Sequence, residues 1–559
     1  MKELRQKEIA NHSVLLDCLL IGTVITLSII PYVGQIGFSS DDWAFLGYFS
    51  TATDQSLLSL YRAAVSPVHA MRPVFILYLS VLYWIFGLNP LGYHVVNGIV
   101  LALGIVLFYL VLVKLTRQRF LAFTVALVYG LLPHYSTNRF WGVSLPIVLS
   151  MTLYFLSLYC DLLVVSSRGI HQKIWKFAAV LSLLIGCLSY EIFLPLYIFN
   201  LWLIYHYVSQ SNSIAQNENV AVRPIVGLFL INLAAIVAII TFKLTTTVRM
   251  GQISPKWQAI WFTRLIARAS KVSYGDFGLG VIGSATKLLQ HQFNWITLVF
   301  AGLISLLVFL YLSQLLNLEQ ILLPRVKLLK VAGLGIGVFI LGYTIFLSNS
   351  NALITATGIG NRVAIAASIG VALSLVAGIY LISSFLPSQR LTNQFFCVLI
   401  TLLCTSNFII NTSVATYWIN SYQQQQKLLS DIHRELPSLP TGVTLILDGI
   451  CPYSGPAVVF ESNWDLAGAL MTIYRDYTLR ADVVTSNLQV EADALSTRLY
   501  GSIYTRYPYT DRLFIYHAGR KTVHPIANAE SARTYFQYIT PDRSNGCPSG
   551  EPGYGVKIL

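Results

Sequence analysis

Charge is scarce in this sequence: Asp, Glu, Lys and Arg together make up 11% of 559 residues, while 55% are hydrophobic. So little polar material cannot cover a water-soluble globule, which excludes a cytosolic enzyme and, equally, a disordered scaffold. Seven cysteines are too few for a secreted disulfide framework of this length. CxxC and HExxH do not occur, so no zinc signature is present, and no GxxxxGK[ST] supports ATP hydrolysis. Gly278, Gly280 and Gly283 match GxGxxG, but no strand precedes them and dinucleotides are absent from the outer loop predicted there. The class that remains is an integral membrane protein.

Acidic residues are scarcest of all where the chain is most apolar. Residues 1–415 hold 11 acidic against 25 basic residues, and 416–559 hold 13 against 12. The formal net charge of +13 therefore belongs to the membrane part, where Lys and Arg set orientation and meet anionic lipid. No nucleic-acid partner is implied.

Apolar runs long enough to cross a hydrocarbon core of about 30 Å as helices lie near 14–36, 93–113, 120–133, 142–165, 174–190, 193–208, 224–246, 296–316, 331–348, 363–386 and 395–415. A twelfth run, Pro73–Phe86, is only 14 residues long. If it does not cross, the short loops on one side carry fourteen basic residues against four on the other, and letting it cross inverts all but the first of them. The positive-inside rule thus predicts eleven spans, Pro73–Phe86 as a juxtamembrane helix, a cytoplasmic N-terminus and an extracytoplasmic C-terminus in a plasma or inner membrane. The expected fold is an all-α polytopic module over 1–415 followed by a small extracytoplasmic α/β domain over 416–559. In that domain Trp418–Leu436 has helical spacing, and GVTLILDG and ADVVTS read as strands.

The few charged residues predicted on the outer side are the candidates for chemistry. Asp41 and Asp42 follow the first span in GFSSDDWAF. A carboxylate there can take a proton from an attacking hydroxyl, helped by a like-charged neighbour that raises its pKa; the alternative is an Ser-Ser-Asp-Asp helix cap. Glu191, between two spans in LSYEIFLP, either orients a polar substrate group or pairs with a nearby Arg. Arg72, Arg139 and Arg362 suit phosphate, since a guanidinium binds it bidentately, or serve as interface anchors. His94 is a further candidate, although a lone His is more often a hydrogen-bonded structural residue. Cys451 and Cys547, each in a Pro/Gly-rich turn, are the two cysteines of the polar segment and form a candidate disulfide.

Five fragments arrive in an order of their own: SSDDWAF; HAMRPVFIL with FGLNPLGYHVVN; LPHYSTNRFWGVS; LSYEIFLP; and GNRVAIAASIG. In these the chain resembles the polyprenol-phosphate-dependent GT-C glycosyltransferases, among them the protein O-mannosyltransferases, the aminoarabinose transferase of lipid A and, most closely, the transmembrane O-mannosyltransferases that carry tetratricopeptide repeats. The resemblance covers roughly 1–415 and implies an inverting hexosyltransferase. Its donor would be a polyprenyl-phosphate sugar and its acceptor a glycan, lipid or protein on the outer face. It further implies a general base at Asp41 or Asp42, with Asp42, nearer the helix start, preferred; lipid phosphate held by Arg362 together with Arg72 or Arg139; and Glu191 orienting substrate. A divalent metal, Mg or Mn, is left open as cofactor. The sequence departs from the family in lacking the repeats, in placing Tyr190 where the span-six motif has Lys before Glu, and in its C-terminal domain.

A polymerase or ligase using a lipid diphosphate donor shares this chemistry. A lipid or sugar transporter is the rival from another class, but transporters usually show paired halves and broken helices near the midplane, whereas this chain is asymmetric and places its carboxylates at one surface; a membrane anchor presenting 416–559 would not need eleven spans. Single cysteines placed within 480–530 are expected to react with a membrane-impermeant thiol reagent in intact cells. Labelling only after lysis would reverse the orientation.

Overall fold

The computed structural model describes residues 2–66, 69–215, 222–246, 255–319, 324–348, 354–499 and 503–539. Among them nine helices are long and apolar enough to cross a membrane: Ser13–Val33, Pro90–Thr116, Gly142–Ser166, Ile170–Ser189, Glu191–Ser209, Phe229–Thr246, Trp295–Asn317, Arg325–Leu347 and Gln389–Glu435. The chain is a mostly helical, polytopic membrane protein with a small sheet region near its C-terminus.

The two remaining expected spans, near 120–133 and 363–386, are the shorter helices Arg119–Leu131 and Ser368–Ser383. Arg119–Leu131 has 13 residues, about 20 Å of helix at 1.5 Å per residue. It stays short because protein, not lipid, surrounds it: Phe120 to Leu131 are all buried, with Phe120 against Tyr380 and Phe396. Arg119 reaches Asp17 at one end and Gly130 meets Ile25 towards the other, so the helix matches one stretch of the first span. In Pro73–Phe86, Phe75, Ile76, Leu79, Leu82 and Tyr83 are buried while Leu77, Trp84 and Ile85 are exposed, so one face packs on protein and the other is open and also apolar.

No break occurs at 415/416. Gln389–Glu435 is one helix of 47 residues, about 70 Å long, running from the last span into the C-terminal region. No Gly or Pro interrupts it. The Ser388 hydroxyl accepts from the Leu391 N–H at 3.3 Å at its start, and it ends at Glu435, ahead of Pro437, which disfavours helix at the residue before it.

Beyond that helix, Thr444–Asp448 pairs in parallel with Arg480–Val483 on one side and Leu513–His517 on the other, and Thr522–Pro525 adds an antiparallel edge. All five residues of Thr444–Asp448 are buried, as the central strand of a parallel sheet requires. A three-stranded antiparallel sheet, Leu488–Val490, Ala494–Leu499 and Ile503–Pro508, lies beside it. The Asn463–Tyr474 helix opens with a capping box between Ser462 and Asp465 and crosses the Asp41–Ser50 helix at Gly468 and Gly47. A Cβ on Gly468 would stand 2.2 Å from the Trp43 carbonyl oxygen. Trp43, Phe45, Leu466, Leu470 and Tyr516 accordingly share one core. Cys547, and with it the expected pair with Cys451, lies outside the described residues.

Gly468→Ala is expected to force these two helices apart and to destabilise the protein by about 1–3 kcal/mol, read as a lower midpoint of thermal unfolding in detergent. An unchanged midpoint would contradict the close crossing.

Candidate functional site

The polypeptide leaves the first span at Gly37 and turns through Ser39 and Ser40 into the Asp41–Ser50 helix. Asp42 is buried. One carboxylate oxygen accepts from the Ser39 N–H at 2.9 Å and the Gly142 N–H at 3.2 Å, the other from the Val143 N–H at 2.6 Å. Gly142 and Val143 open the turn that leads into the Leu145–Ser166 helix, so Asp42 satisfies amides that a helix start leaves without partners. Only glycine fits at 142, because a Cβ would stand 2.8 Å from the Asp42 carboxylate. Burial pushes the Asp42 pKa up to about 7 against the pull of the three N–H groups, and Asp41 beside it adds to the rise. Both oxygens are thus committed to backbone amides of Ser39, Gly142 and Val143, which leaves Asp41 the freer carboxylate; the Asp41–Ser50 helix itself starts at Ser40 without a side-chain cap bond.

Asp41 is differently placed. It is half-buried, and burial raises its pKa while Arg362, Trp464 and Ser40 favour the anion. Arg362 belongs to the turn Ile359–Ala364. Its guanidinium lies over the Trp141 ring, 4.9 Å from the centroid, and Nη1 donates to the Ile359 carbonyl at 2.6 Å. Asn361 ties that turn to the 133–140 segment: its Nδ2 donates to Ser136 Oγ at 2.8 Å, and its Oδ1 accepts from the Thr137 N–H at 3.1 Å. Three sequence-distant segments therefore set Arg362 near Asp41 without an ion pair closing between them among the described residues.

Glu191 and Arg72 hold one another. Arg72 donates from Nε at 3.0 Å and from Nη2 at 2.5 Å, and Lys243 Nζ donates to the same carboxylate at 3.0 Å. The Arg72 guanidinium also lies 4.1 Å from the centre of the Tyr190 ring. The alternative in which Glu191 pairs with a nearby Arg is realised, and the cluster carries two cations for one anion. Lys243 escaped the sequence reading, although a lysine near the end of an apolar helix is itself a signal. Trp464 and Glu461 also escaped it, since nothing in the sequence brings 461–464 to residue 41.

Arg139 and His94 lie apart from Asp41. Arg139 is buried, giving Nη1 to Ser28 Oγ at 3.2 Å and Nη2 to the Gly130 carbonyl, while His94 Nε2 meets the Gly37 carbonyl oxygen at 3.2 Å. With Tyr32 and Asn97 they line a cleft of about 10 Å³, room for one water. The Tyr32 hydroxyl, His94 Nδ1, Asn97 Oδ1 and Arg139 Nε, without partners among the described residues, suit such a guest. A larger cavity of about 300 Å³ opens inside the helical bundle, walled by Phe108, Leu112, Phe155, Trp202, Val338 and Leu373 among others. No three His, Cys, Asp or Glu side chains gather as a metal cage among the described residues. A Mg²⁺ or Mn²⁺ ion beside Asp41 would have to complete its shell from substrate phosphate and water.

No protein-family model matches the chain, and no curated protein matches it in sequence. Among solved structures, ArnT from Cupriavidus metallidurans in the apo state is similar at 12% identity over 80% of this chain and 84% of that one, with a TM-score of 0.35. The same protein bound to undecaprenyl phosphate gives 13%, 82%, 89% and 0.34. The Archaeoglobus fulgidus oligosaccharyltransferase tethered with an acceptor peptide gives 12% identity, 83% of this chain, 63% of that one and 0.38. Likeness at this level carries no function across.

Asp42→Asn turns an NH₂ group towards backbone donors and is expected to cost about 1–3 kcal/mol of stability. Asp41→Asn, at a half-buried site without three N–H partners, should leave unfolding nearly unchanged. Equal losses in urea or thermal unfolding of the two variants would contradict the distinction.

Proposed function

We propose that the protein is an integral membrane glycosyltransferase of the GT-C kind, transferring a hexose from a polyprenyl-phosphate donor to an acceptor hydroxyl on the outer face of the membrane. The observation that carries this reading is a half-buried Asp41 within the electrostatic reach of the Arg362 guanidinium, with no ion pair closed between them among the described residues, at the end of the bundle that bears the C-terminal region. Four further acidic side chains of that part of the chain, Asp17, Asp42, Asp161 and Glu191, are each engaged by donors or cations.

In this reading the acceptor oxygen attacks the anomeric carbon from the side opposite the phosphate. Its proton passes to an Asp41 carboxylate oxygen as the new C–O bond forms. The bond from the anomeric carbon to the phosphate oxygen breaks, and its electron pair leaves with polyprenyl phosphate, whose charge Arg362 balances. Transfer through this geometry inverts the anomeric centre. Burial that lifts the Asp41 pKa makes it a better proton acceptor near neutral pH than an exposed carboxylate. The cluster of Arg72, Lys243 and Glu191 supplies a second cationic site for the donor headgroup, and the 300 Å³ apolar cavity gives its prenyl chain a place within the bundle. Asp41 would be the residue to hold a divalent metal, whose positive charge would offset that of the donor phosphate. The site faces outward in this reading, where the Cys451–Cys547 bond can form.

Asp41→Asn is expected to lower turnover of undecaprenyl-phosphate mannose by about 10²–10⁴-fold with donor affinity kept, whereas Arg362→Ala should weaken undecaprenyl phosphate binding by about 10–100-fold. Purified variants in nanodiscs decide both points. Full turnover by Asp41→Asn would remove the proposed mechanism.

A further inference from the structure

The residue before the proposed base is strained. Ser40 has φ 49° and ψ −124°, the left-handed side of backbone space that a serine occupies only when its surroundings over-determine it. Those surroundings come largely from the C-terminal region, some 420 residues away in sequence. Ser40 Oγ donates to Glu461 Oε1 at 3.3 Å, and the Tyr453 hydroxyl donates to the other oxygen of the same buried carboxylate. Ser39 Oγ donates to the Val458 carbonyl at 3.0 Å. Trp43 Nε1 donates to Gln425 Oε1 at 2.9 Å, and the Gln425 amide in turn donates to the Val458 and Val459 carbonyls at 3.1 and 2.8 Å. The segment that supplies Glu461 also brings Trp464 beside Asp41.

A serine hydroxyl has one hydrogen to give, and that of Ser40 lies between Glu461, at 3.3 Å, and Asp41, whose anion it also favours. Two carboxylates, Asp41 and Glu461, thus share one hydroxyl between them. We propose that Glu461 is the positioning residue for Asp41: by accepting a hydrogen bond from the Ser40 hydroxyl it holds Ser40 in its strained conformation and Asp41 near Arg362, so that the C-terminal region is a working part of the site. This rests on Asp41 being the base. The charged and titratable groups around Asp41 are Arg362 from the Ile359–Ala364 turn, Asp42 and Tyr48 from its own helix, and Glu461 through Ser40.

The test needs no substrate. In protein labelled with ¹³C-aspartate, the infrared carboxyl stretch assigned by its loss in Asp41→Asn reports the pH at which Asp41 takes up a proton. Glu461→Gln removes a like charge and frees the Ser40 hydroxyl to turn to Asp41; both effects favour the anion, so the midpoint should fall by about one pH unit. Ser40→Gly accepts the backbone conformation without strain and removes the hydroxyl between the carboxylates, so its midpoint should rise. A Glu461 that only props up the fold would lower the unfolding temperature and leave the Asp41 midpoint in place. Opposite shifts in the two variants support the proposal. A midpoint that stays or rises in Glu461→Gln, or that fails to rise in Ser40→Gly, overturns it, and if Glu461→Gln does not fold the Ser40→Gly midpoint decides alone. Full turnover of undecaprenyl-phosphate mannose by Asp41→Asn would instead sink the base assignment, whatever the midpoints do.

Discussion

The site end of the molecule depends on one buried carboxylate. Asp42 gathers the N–H groups of Ser39, Gly142 and Val143, so the turn after the first span, the turn before the Leu145–Ser166 helix and the start of the Asp41–Ser50 helix meet at a single side chain. Each donor comes from a position where regular structure begins or ends and an amide would otherwise be buried without a partner, at a cost of about 1–3 kcal/mol. Trp141 strengthens the junction by donating from Nε1 to the Ser39 carbonyl at 2.9 Å, and its ring then carries the Arg362 guanidinium. Asp41 is accordingly placed by its neighbour: with Asp42 locked, the next carboxylate along the helix turn points elsewhere, towards Arg362 and Trp464.

The same economy of charge governs the rest of the bundle. Asp17 is buried where four helices meet, held by Arg119 through Nε and Nη2 at 2.9 Å each and by the hydroxyls of Tyr109 and Tyr311. Asp161 is held by Lys176 at 3.1 Å and Asn232 at 2.7 Å. Charge inside a bilayer is tolerated when it is paired and turned into the bundle, and these groups obey that rule. They pin helices that apolar packing alone would leave free to slide, because lipid is as apolar as leucine. Asp41 is distinguished by what it lacks: it faces a cation without closing on it.

Much of the helical layout was legible because a span needs a run of apolar residues whatever its neighbours are. All eleven expected runs coincide with helices, two of them short because protein lines them. The boundary at 415/416 was not legible. Hydropathy falls there, but the backbone of an uninterrupted helix ignores polarity and continues to Glu435. The chemistry was half legible. Asp41, Asp42, Glu191, Arg72 and Arg362 stand out by type and position, yet which carboxylate is spent on amides depends on Gly142, a hundred residues away. That the Glu191 cluster carries a surplus cation depends on Lys243 in another helix. Sequence spacing carries no record of such meetings.

Ser40 shows why the C-terminal region could not be read as an appendage. A soluble domain hung on a membrane module would meet it through exposed, exchangeable contacts. Here the contact is a glycine-on-glycine helix crossing at Gly47 and Gly468, a shared core that includes Trp43, Leu470 and Tyr516, and hydrogen bonds to the residues that flank Asp41. Helices that approach so closely leave no room for sliding, since each backbone is the other's packing surface. The 47-residue helix supplies the reason such precision is available. It runs from among the spans to Gln425, whose side chain holds both Trp43 and the Val458–Val459 backbone. One rigid rod thereby registers the first loop and the C-terminal region against the same frame, and the proposed base sits where the two are stitched together.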